Sequence, residues 1–330
     1  MSTIQEPDLT VIIPCYNESA VLPLLERRLR KCLEELGISW EVIFVDDGSQ
    51  DSTFQQLSLM HASESRFKVI SLSRNFGHQT ALAAGLERAA GKAVGILDAD
   101  LQDPPELLGR CLEKLREGYD VIYGVRRKRK ENIVKRGAYA LFYRLLRYVA
   151  EVNIPLDSGD FCLMGHRVVT VLKAMPERNL FLRGLRAWTG FRQFGLEYER
   201  EARAAGETKY SFKRLLGLGF EGIVTFSAAP LRLATVFGFG MIVLNLILGL
   251  FFISWRLGGF RVMGHTAEEL PGWTAIVSLV LFLSGVQFLI LGFIGEYVGR
   301  IYSEVKQRPR WIVREALGWN ETVSAPQHLE

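Results

Sequence analysis

The sequence predicts an α/β domain with a mainly parallel sheet, followed by a membrane-associated C-terminal part. Apolar runs alternate with helix-like segments in the N-terminal half, which is the pattern of a parallel sheet with crossover helices. The runs are continuously apolar, as expected for strands that helices cover on both faces. They span residues 9–14, 41–46, 68–72, 93–97 and 120–124.

Composition limits the possible functions. The chain has 330 residues, of which 48% are hydrophobic, enough for one sizeable α/β domain and a more apolar part. The net charge of +4 is too small to indicate a nucleic-acid partner, and we expect none. The four cysteines are scattered without a C-x-x-C pair, which favours a reducing compartment over zinc or disulfides. No signal-peptide pattern opens the sequence, so we expect the N-terminal domain to stay in the cytosol.

Two long stretches without charge, Leu233–Trp255 and Thr274–Gly295, predict two transmembrane helices. A pair of buried core helices is the alternative, but uncharged runs of this length are rare in soluble domains. Because basic residues precede the first stretch and follow the second, we expect both termini in the cytosol and a short external loop. These basic residues are Lys209, Lys213, Arg214, Arg232, Arg300, Lys306, Arg308, Arg310 and Arg314.

These features divide the chain into four predicted parts. They are a cytosolic catalytic domain (1–205), a juxtamembrane amphipathic segment (206–232), two transmembrane helices with their loop (233–298) and a basic cytosolic tail (299–330). Apolar side chains share a helical face in two segments, 141–149 and 212–223. The second leads into the first span and is predicted to lie in the membrane interface. The first fits an interfacial helix and a core helix equally well.

Acidic clusters follow two of the predicted strands, where ligands bind in parallel sheets. The second strand ends in Asp46-Asp47-Gly48-Ser49, and the fourth is followed by Asp98-Ala99-Asp100-Leu101-Gln102. Neither a G-x-G-x-x-G turn nor a P-loop is present to hold phosphate. Crowded carboxylates repel one another unless a cation offsets them, and hard oxygen ligands suit Mg²⁺ or Mn²⁺. A divalent ion that bridges a diphosphate would satisfy these clusters.

Two other acidic residues have a simpler interpretation. Asp51 precedes Ser52, and Asp103 precedes two prolines, as at helix starts with an aspartate cap. That interpretation does not extend to Asp98 and Asp100, which come before the predicted cap and alternate around Ala99.

Four motifs occur in a fixed order before the apolar stretches: P-x-Y-N-E at 14–18, D-D-G-S at 46–49, D-x-D-x-Q-x-P-P at 98–105 and G-E-T-K-Y-S at 206–211. This ordered set resembles the polyisoprenyl-phosphate glycosyltransferases of glycosyltransferase family 2, over nearly the whole chain. It looks closest to the bacterial bactoprenol-phosphate glucosyltransferases. It is more distantly similar to dolichol-phosphate mannose synthases and aminoarabinose-lipid transferases.

The resemblance implies a GT-A fold, which is Rossmann-like, and roles for particular residues. Those implied to contact the nucleotide-sugar are Pro14, Tyr16, Glu18, Asp46, Asp47, Asn75, Asp98 and Ala99. Asn75 is included because the segment Arg74–His78 would border the donor. Asp100 and Gln102 are implied to bind Mg²⁺ or Mn²⁺. The cations assigned to the acceptor phosphate are Arg126, Lys135, Arg136 and Lys209.

The segment that begins at Asp157 resembles the family's D-x-G-x-F stretch near the acceptor and implies catalytic roles for Asp157 and Asp160. A bland turn rich in Asp, Ser and Gly is the alternative. Cys162 stands where many members have arginine, so a phosphate contact at this position is in doubt. Because a phosphate monoester is already largely dianionic at neutral pH, we expect Asp157 to orient the acceptor more than to deprotonate it.

The sequence therefore predicts an inverting, metal-dependent transfer of a hexose to polyprenyl (undecaprenyl or bactoprenyl) phosphate for cell-envelope glycosylation such as O-antigen modification. UDP-glucose is the donor that the resemblance suggests. The predicted location is the plasma (inner) membrane, as a multi-pass protein. Small residues in the spans permit a homo-oligomer.

Three alternatives stay open at this level. In the first alternative, the transferred sugar is mannose from GDP-mannose, or an aminoarabinose. The second is a membrane scaffold without catalytic activity. The third is a processive polysaccharide synthase, suggested by the Q-x-x-R-W pattern at 307–311. That pattern follows the last predicted span here, so we interpret it as part of a basic tail.

Overall fold

The computed structural model describes residues 6–126, 158–175, 181–199 and 272–319, with scattered helical positions between 239 and 261. The chain divides into two compact units. The first contains residues 1–147, 152–211 and 308–330, and the second contains residues 148–151 and 212–307.

The first unit is an α/β domain in which strands and helices alternate, as predicted. Its strands are β1 (Leu9–Cys15), β2 (Trp40–Asp46), β3 (Phe67–Leu72), β4 (Ala93–Ile96), β5 (Val121–Arg126), β6 (Ser158–Gly165), β7 (Gln193–Tyr198) and β8 (Val313–Leu317). Its helices are α1 (Leu22–Glu35), α2 (Thr53–Ser63), α3 (His78–Arg88), α4 (Leu107–Arg116), α5 (His166–Ala174) and α6 (Leu182–Trp188).

The strands form one sheet in the order β7-β5-β6-β4-β1-β2-β3-β8. Strands β4, β1, β2 and β3 are parallel neighbours, which confirms the mainly parallel sheet. Strand β6 is antiparallel to both β4 and β5, and β8 is antiparallel to β3. Because β2 and β4 lie on opposite sides of β1, the strand order reverses at β1, and ligands of open α/β sheets bind at the carboxyl ends next to such a reversal.

Burial explains why the central strands are continuously apolar. Every residue of β1 and β2 is buried, because helices cover both faces of the sheet. Helix α1 contributes a stripe of buried leucines at helical spacing, namely Leu22, Leu25, Leu29 and Leu33. Such close packing holds the strand ends in fixed positions.

The C-terminal region differs from the predicted basic tail. Residues 313–317 form β8, an edge strand of the first unit's sheet. Just before it, in the Q-x-x-R-W segment, Arg310 donates a hydrogen bond to the Met175 carbonyl at 3.0 Å. This segment therefore belongs to the folded domain because its backbone and side chains are bonded there.

Neither predicted aspartate occupies the N-cap position of its helix: the N-cap of α2 is Ser52, one residue after Asp51. The Asp51 carboxylate accepts the backbone N–H of Thr53, the first residue of α2, at 3.0 Å. Asp103 differs, because it is fully buried and accepts the hydroxyl of Tyr198 from β7. Helix α4 begins only at Leu107, so Asp103 joins two parts of the sheet's carboxyl edge instead of capping the helix.

The second unit contains the helix α7 (Gly272–Val305), which includes the predicted span Thr274–Gly295 and continues beyond it. Its window Phe282–Gly299 has a mean hydropathy of 1.5. Within the described residues, this is the single helix long and apolar enough to cross a membrane. Its exposed side chains include Ile276, Leu279, Val280, Phe282, Phe288, Leu291 and Ile294.

The other predicted membrane-associated segments lie mostly outside the described residues. Scattered positions within Leu233–Trp255 are helical, and a second span there stays a prediction. The amphipathic segments 141–149 and 212–223 also lie outside.

Gly48 should be required for the approach of two loops. It has φ +67°, and a Cβ there would lie 2.7 Å from the Asn75 nitrogen and closer still to the Arg74 carbonyl carbon. Gly37 has a similar φ of +63° but open space around it. We expect Gly37→Ala to cost about 1 kcal/mol from backbone strain alone, and Gly48→Ala to cost roughly 2 kcal/mol more from the clash. Thermal unfolding of both variants measures the difference, and equal losses would contradict the steric argument.

Candidate active site

The candidate site lies at the carboxyl edge of the central strands. The register pairs Cys15 with Asp46 and Asp46 with Ser71, so β1, β2 and β3 end side by side. The loops that follow these strands and β4 contain most of the residues predicted to bind the donor. The fold therefore brings the P-x-Y-N-E, D-D-G-S and D-x-D-x-Q motifs together.

The first two motifs are joined by hydrogen bonds. The Asn17 backbone N–H donates to Ser49 Oγ at 3.0 Å, and the Gln50 N–H donates to Asn17 Oδ1 at 2.8 Å. The Glu18 N–H donates to Thr53 Oγ1 at 2.9 Å. Asn17 has φ 55°, a left-handed conformation that asparagine tolerates well. The loop around Tyr16, a residue that is 38% exposed, is thus held against the D-D-G-S turn.

Asp46 and Asp47 use their carboxylates within the protein. Asp46 Oδ1 accepts the Ser49 N–H at 3.0 Å and its Oδ2 accepts the Ser71 hydroxyl at 2.8 Å. Asp47 accepts the backbone N–H groups of Phe76 and Gly77 at 2.7 and 2.9 Å. Burial raises the pKa of Asp47, and these two N–H groups partly offset that rise. The pair therefore shapes the loop that includes Asn75, and direct contact of either carboxylate with a nucleotide stays a prediction.

The D-x-D-x-Q motif follows β4. Asp100 is nearly buried, and its Oδ1 accepts the Gln102 backbone N–H at 3.1 Å. Ala99 is buried between the two acids. Asp98 Oδ1 is buried, and none of the described groups donates a hydrogen bond to it. Burial raises the pKa of Asp98 to about 6. The fold therefore disfavours the ionised form of Asp98.

A four-residue charge cluster lies beside this motif. His78 Nε2 is 3.3 Å from Asp160 Oδ2 and 3.7 Å from Asp98 Oδ1. Arg183 binds Asp160 Oδ1 through Nη2 at 3.1 Å and Nε at 3.3 Å. His78 is the first residue of α3, Asp160 lies in β6 and Arg183 lies in α6. Three elements distant in sequence thus meet next to the fourth strand's acidic loop.

The pKa values of the cluster members shift in different directions. Burial would raise the pKa of Asp160, but the hydrogen bond from His78 and the charge of Arg183 outweigh burial and hold that pKa below its usual range. Burial would lower the pKa of His78, but Asp160 and Asp98 outweigh it and raise that pKa. Asp160 is therefore ionised at neutral pH, whereas Asp98 keeps its proton to a higher pH than a free aspartate, and His78 to a higher pH than a free imidazole.

Sequence reasoning missed two cationic residues of this region. Arg183 carried no motif signal, and His78 appeared only as the end of the segment expected to border the donor. Cys162, where the family often has arginine, is buried in β6. The buried Arg186 lies close enough to act on it: burial raises the pKa of Cys162, and the charge of Arg186 opposes that rise. Arg186 of α6 thus places an arginine side chain next to Cys162.

The residues predicted to serve the acceptor lie mostly outside the described part of the chain. Arg126 is the exception, as the last residue of β5. Asp157, Lys135, Arg136 and Lys209 lie outside the described residues. Their roles stay predictions.

The oxygen atoms that the described part of the chain offers to a divalent ion are too few to hold it without oxygens from a bound substrate. Among the described residues, no group of three or more His, Cys, Asp or Glu side chains is arranged to hold a metal ion. Asp100 and Gln102 carry hard oxygen donors in the same short loop as Asp98. This donor set suits Mg²⁺ or Mn²⁺ when phosphate oxygens and water complete the coordination shell.

Asp98→Asn should stabilise the metal-free protein at high pH. The pKa of Asp98 is 3.8 as a reference and about 6 in the folded chain, so its ionisation destabilises the fold progressively as pH rises through that window. Above pH 6 the cost is roughly 3 kcal/mol, at about 1.4 kcal/mol per pKa unit. In EDTA, the variant's Tm should therefore exceed that of the wild type by about 5 °C or more at pH 8, and the two should converge toward pH 4.

Asp8→Asn is the matched control. Its hydrogen bond from Lys92 lowers the pKa of Asp8 to about 2, so removing this carboxylate should not raise the Tm at pH 8. Equal melting temperatures of Asp98→Asn and wild type at pH 8 would contradict the burial cost assigned to Asp98.

Comparison with known proteins agrees with these motifs. The family described as Glycosyl transferase family 2 matches residues 10–172. The chain is 42% identical to the uncharacterized glycosyltransferase YkcC of Bacillus subtilis over 97% of this chain and 98% of that relative. It is 35% identical to a prophage-derived bactoprenol glucosyl transferase of Shigella flexneri over 93% of this chain and 98% of that relative.

Among solved structures, the mannosyltransferase PcManGT from Pyrobaculum calidifontis aligns with a TM-score of 0.42 at 18% identity, over 91% of this chain and 88% of that chain. The strength of the assignment comes from the sequence relatives, which match along nearly their whole length. The chain is a glycosyltransferase that belongs to glycosyltransferase family 2, among its polyisoprenyl-phosphate glycosyltransferases.

Proposed function

We propose that the protein transfers glucose from UDP-glucose to polyprenyl (undecaprenyl or bactoprenyl) phosphate, with inversion at the anomeric carbon. The observation that carries this proposal is the meeting of Asp98, His78 and Asp160 beside the D-x-D-x-Q loop, at the carboxyl edge where β1 and β4 lie side by side. The Shigella relative is named a bactoprenol glucosyl transferase, which supports both the sugar and the lipid. The apolar helix α7 supports a membrane-bound acceptor.

The donor would bind across the loops after β1, β2 and β4. Tyr16 offers a partly exposed ring for the base, because aromatic faces stack on bases. The buried acids Asp46 and Asp47 hold the neighbouring loops, and through these loops they would position the groups that contact the base. Asp98, with one unsatisfied oxygen, would then accept a hydrogen bond from the donor.

A divalent ion would be held by Asp100 and Gln102, and it would supply neutralisation of the leaving diphosphate. The chain's own residues position the two substrates. His78 lies between Asp98 and Asp160, so it screens their mutual repulsion while the anionic substrates approach. Arg183 fixes Asp160 from the other side through two nitrogens.

The acceptor needs little activation. A phosphate monoester is already largely dianionic at neutral pH and is itself the nucleophile. The main tasks of the enzyme are therefore to hold two anionic groups in line and to stabilise the departing charge. Single displacement of the nucleotide by the phosphate oxygen inverts the anomeric centre. Arg126, Lys135, Arg136 and Lys209 would serve the acceptor phosphate, and Asp157 would orient it.

The proposed setting is the plasma membrane, with the catalytic domain on the cytosolic side, where nucleotide-sugars are made. The product would be a polyprenyl-phosphate sugar for cell-envelope glycosylation. Transfer of mannose from GDP-mannose, or of an aminoarabinose, uses the same arrangement with a different pocket.

Purified full-length protein should transfer radiolabelled glucose from UDP-glucose to undecaprenyl phosphate, giving a chloroform-extractable product. We expect EDTA to abolish the product and Mg²⁺ or Mn²⁺ to restore it. Asp100→Ala should lower the rate by at least about 100-fold, because the leaving diphosphate loses its counter-charge. Glu113→Gln, an exposed acid on α4, is the matched control and should retain wild-type activity.

A panel that includes GDP-mannose and UDP-linked sugars identifies the donor. Transfer from another donor alone would replace glucose in the proposal. Absence of transfer from every donor, by protein that melts cooperatively, would favour a membrane scaffold.

His78→Ala should slow transfer roughly 10- to 100-fold in kcat, since removal of this cation leaves Asp98 and Asp160 to repel each other and the substrates. We also expect the loss to grow as pH rises from 6 to 8, because Asp98 becomes ionised in this range. Steady-state rates at both pH values measure the effect. Wild-type kcat in the variant at pH 8 would exclude a role for the charge cluster.

A further inference from the structure

The edge strand β8 comes from the far end of the chain, after the apolar helix α7. It pairs antiparallel with β3, with Ser71 opposite Glu315, and the register shifts between Ser71 and Leu72. Beyond the shift, the Ser73 N–H donates to the Ile312 carbonyl at 2.9 Å. The strand thus continues along β3 to the carboxyl edge, where the donor loops lie.

One side chain of β8 reaches the end of β2. Arg314 Nη2 donates to Ser71 Oγ at 2.8 Å and lies 3.7 Å from Asp46 Oδ2. The Ser71 hydroxyl in turn donates to the same Asp46 oxygen at 2.8 Å. The Arg314 guanidinium also lies over the Phe54 ring, 5.2 Å from its centroid. An arginine from the C-terminal strand thus approaches this Asp46 oxygen both directly and through the Ser71 hydroxyl.

Asp46 transmits this contact toward the first motif. Its other oxygen accepts the Ser49 N–H at 3.0 Å, and Ser49 Oγ accepts the Asn17 N–H at 3.0 Å. Asn17 Oδ1 closes the loop by accepting the Gln50 N–H at 2.8 Å. A continuous series of hydrogen bonds therefore connects Arg314 to the loop next to Tyr16.

The location of the charge favours a functional use over simple stabilisation. The Asp46 side chain is fully buried, whereas the Arg314 side chain is 47% exposed, so the pair connects the interior to the surface at the carboxyl edge. An arginine carries five N–H donors in a fixed planar arrangement. The described hydrogen bonds of Arg314 use one of these donors, at Ser71. The guanidinium also places positive charge at the edge where an anionic nucleotide would enter.

We propose that Arg314 is a positioning residue for nucleotide-sugar binding, which holds Asp46 and, through Ser49 and Asn17, the loop that carries Tyr16. This inference rests on the function proposed above. It makes β8 part of the donor site, so the catalytic domain is complete only when the chain has passed through α7 and returned to the sheet.

The test compares Arg314→Ala, Arg314→Lys and Glu315→Ala in the full-length protein, with UDP-glucose and undecaprenyl phosphate as substrates. We expect Arg314→Ala to raise KM for UDP-glucose on the order of tenfold, the effect of one lost charge-assisted hydrogen bond. Its kcat and its KM for undecaprenyl phosphate should stay within about twofold of wild type, because the reacting groups are untouched. Arg314→Lys should recover part of the loss by retaining the charge.

Glu315→Ala is the matched control on the same strand. Its side chain is exposed and adjacent residues of a strand point to opposite faces, so KM for UDP-glucose should not change. Ser71→Ala provides a second route, because it removes the hydroxyl between Arg314 and Asp46 and leaves the arginine in place. We expect it to raise the same KM, and it tests the inference even where Arg314→Ala unfolds.

The outcomes separate this inference from the proposed function. Wild-type transfer together with unchanged KM for UDP-glucose in Arg314→Ala and Ser71→Ala would overturn the positioning role and leave the function intact. If Arg314→Ala and Arg314→Lys lose kcat to the same extent and lower the Tm to the same extent, without a change in KM, β8 has a structural role only. Where wild type transfers from no donor, the function fails first, and calorimetric titration with UDP and GDP then decides whether Arg314→Ala weakens nucleotide binding.

Discussion

Two carboxylates buried at the end of β2 constrain the rest of the candidate site. A carboxylate removed from water costs several kcal/mol unless donors surround it. Asp46 and Asp47 obtain these donors from loops after β2 and β3, through Ser49, Phe76 and Gly77. The loops therefore cannot move independently of the sheet. Gly48 permits their close approach because it has no side chain to separate them.

The other half of the site balances its charges differently. Asp160 has two cationic partners, whereas Asp98 has an oxygen without a hydrogen bond among the described groups. A protein that optimised stability alone would satisfy or remove this oxygen. Such local costs concentrate at functional sites, where a ligand supplies the missing partner. This half of the edge therefore has a buried carboxylate oxygen that the described groups leave without a hydrogen bond, whereas the carboxylates at the end of β2 are satisfied by the protein itself.

The C-terminal strand β8 closes one side of the sheet. Without β8, strand β3 would be the edge of the sheet and would expose unpaired backbone groups, with which β8 pairs. Strand β8 follows the apolar helix α7 in the chain, so residues from both sides of that helix form the sheet of the first unit. Arg314 adds a side-chain contact to the donor loops, which backbone pairing alone would not supply.

The motif order alone was enough to predict the family, and relatives matching nearly the whole chain confirm it. The apolar runs likewise predicted the central strands, because burial on both faces leaves a continuous hydrophobic signal. The predicted strands also indicated where each strand ends. Because parallel strands end at the same edge of a sheet, their ends in turn predicted that three donor motifs lie together. The second span and the acceptor residues Asp157, Lys135 and Lys209 remain sequence predictions.

Long-range contacts were beyond the reach of sequence reasoning. The pairing of His78 with Asp160 and of Arg183 with the same acid depends on how α3, β6 and α6 pack. No local pattern specifies such distances. A short five-residue strand such as β8, with two charged residues, has the composition of a tail, and only its pairing with β3 reveals it. The sequence by itself determined the strands, the motifs and the family, since these are written in local patterns; the tertiary structure decided which charges meet, because partners are chosen by packing between segments far apart in the chain.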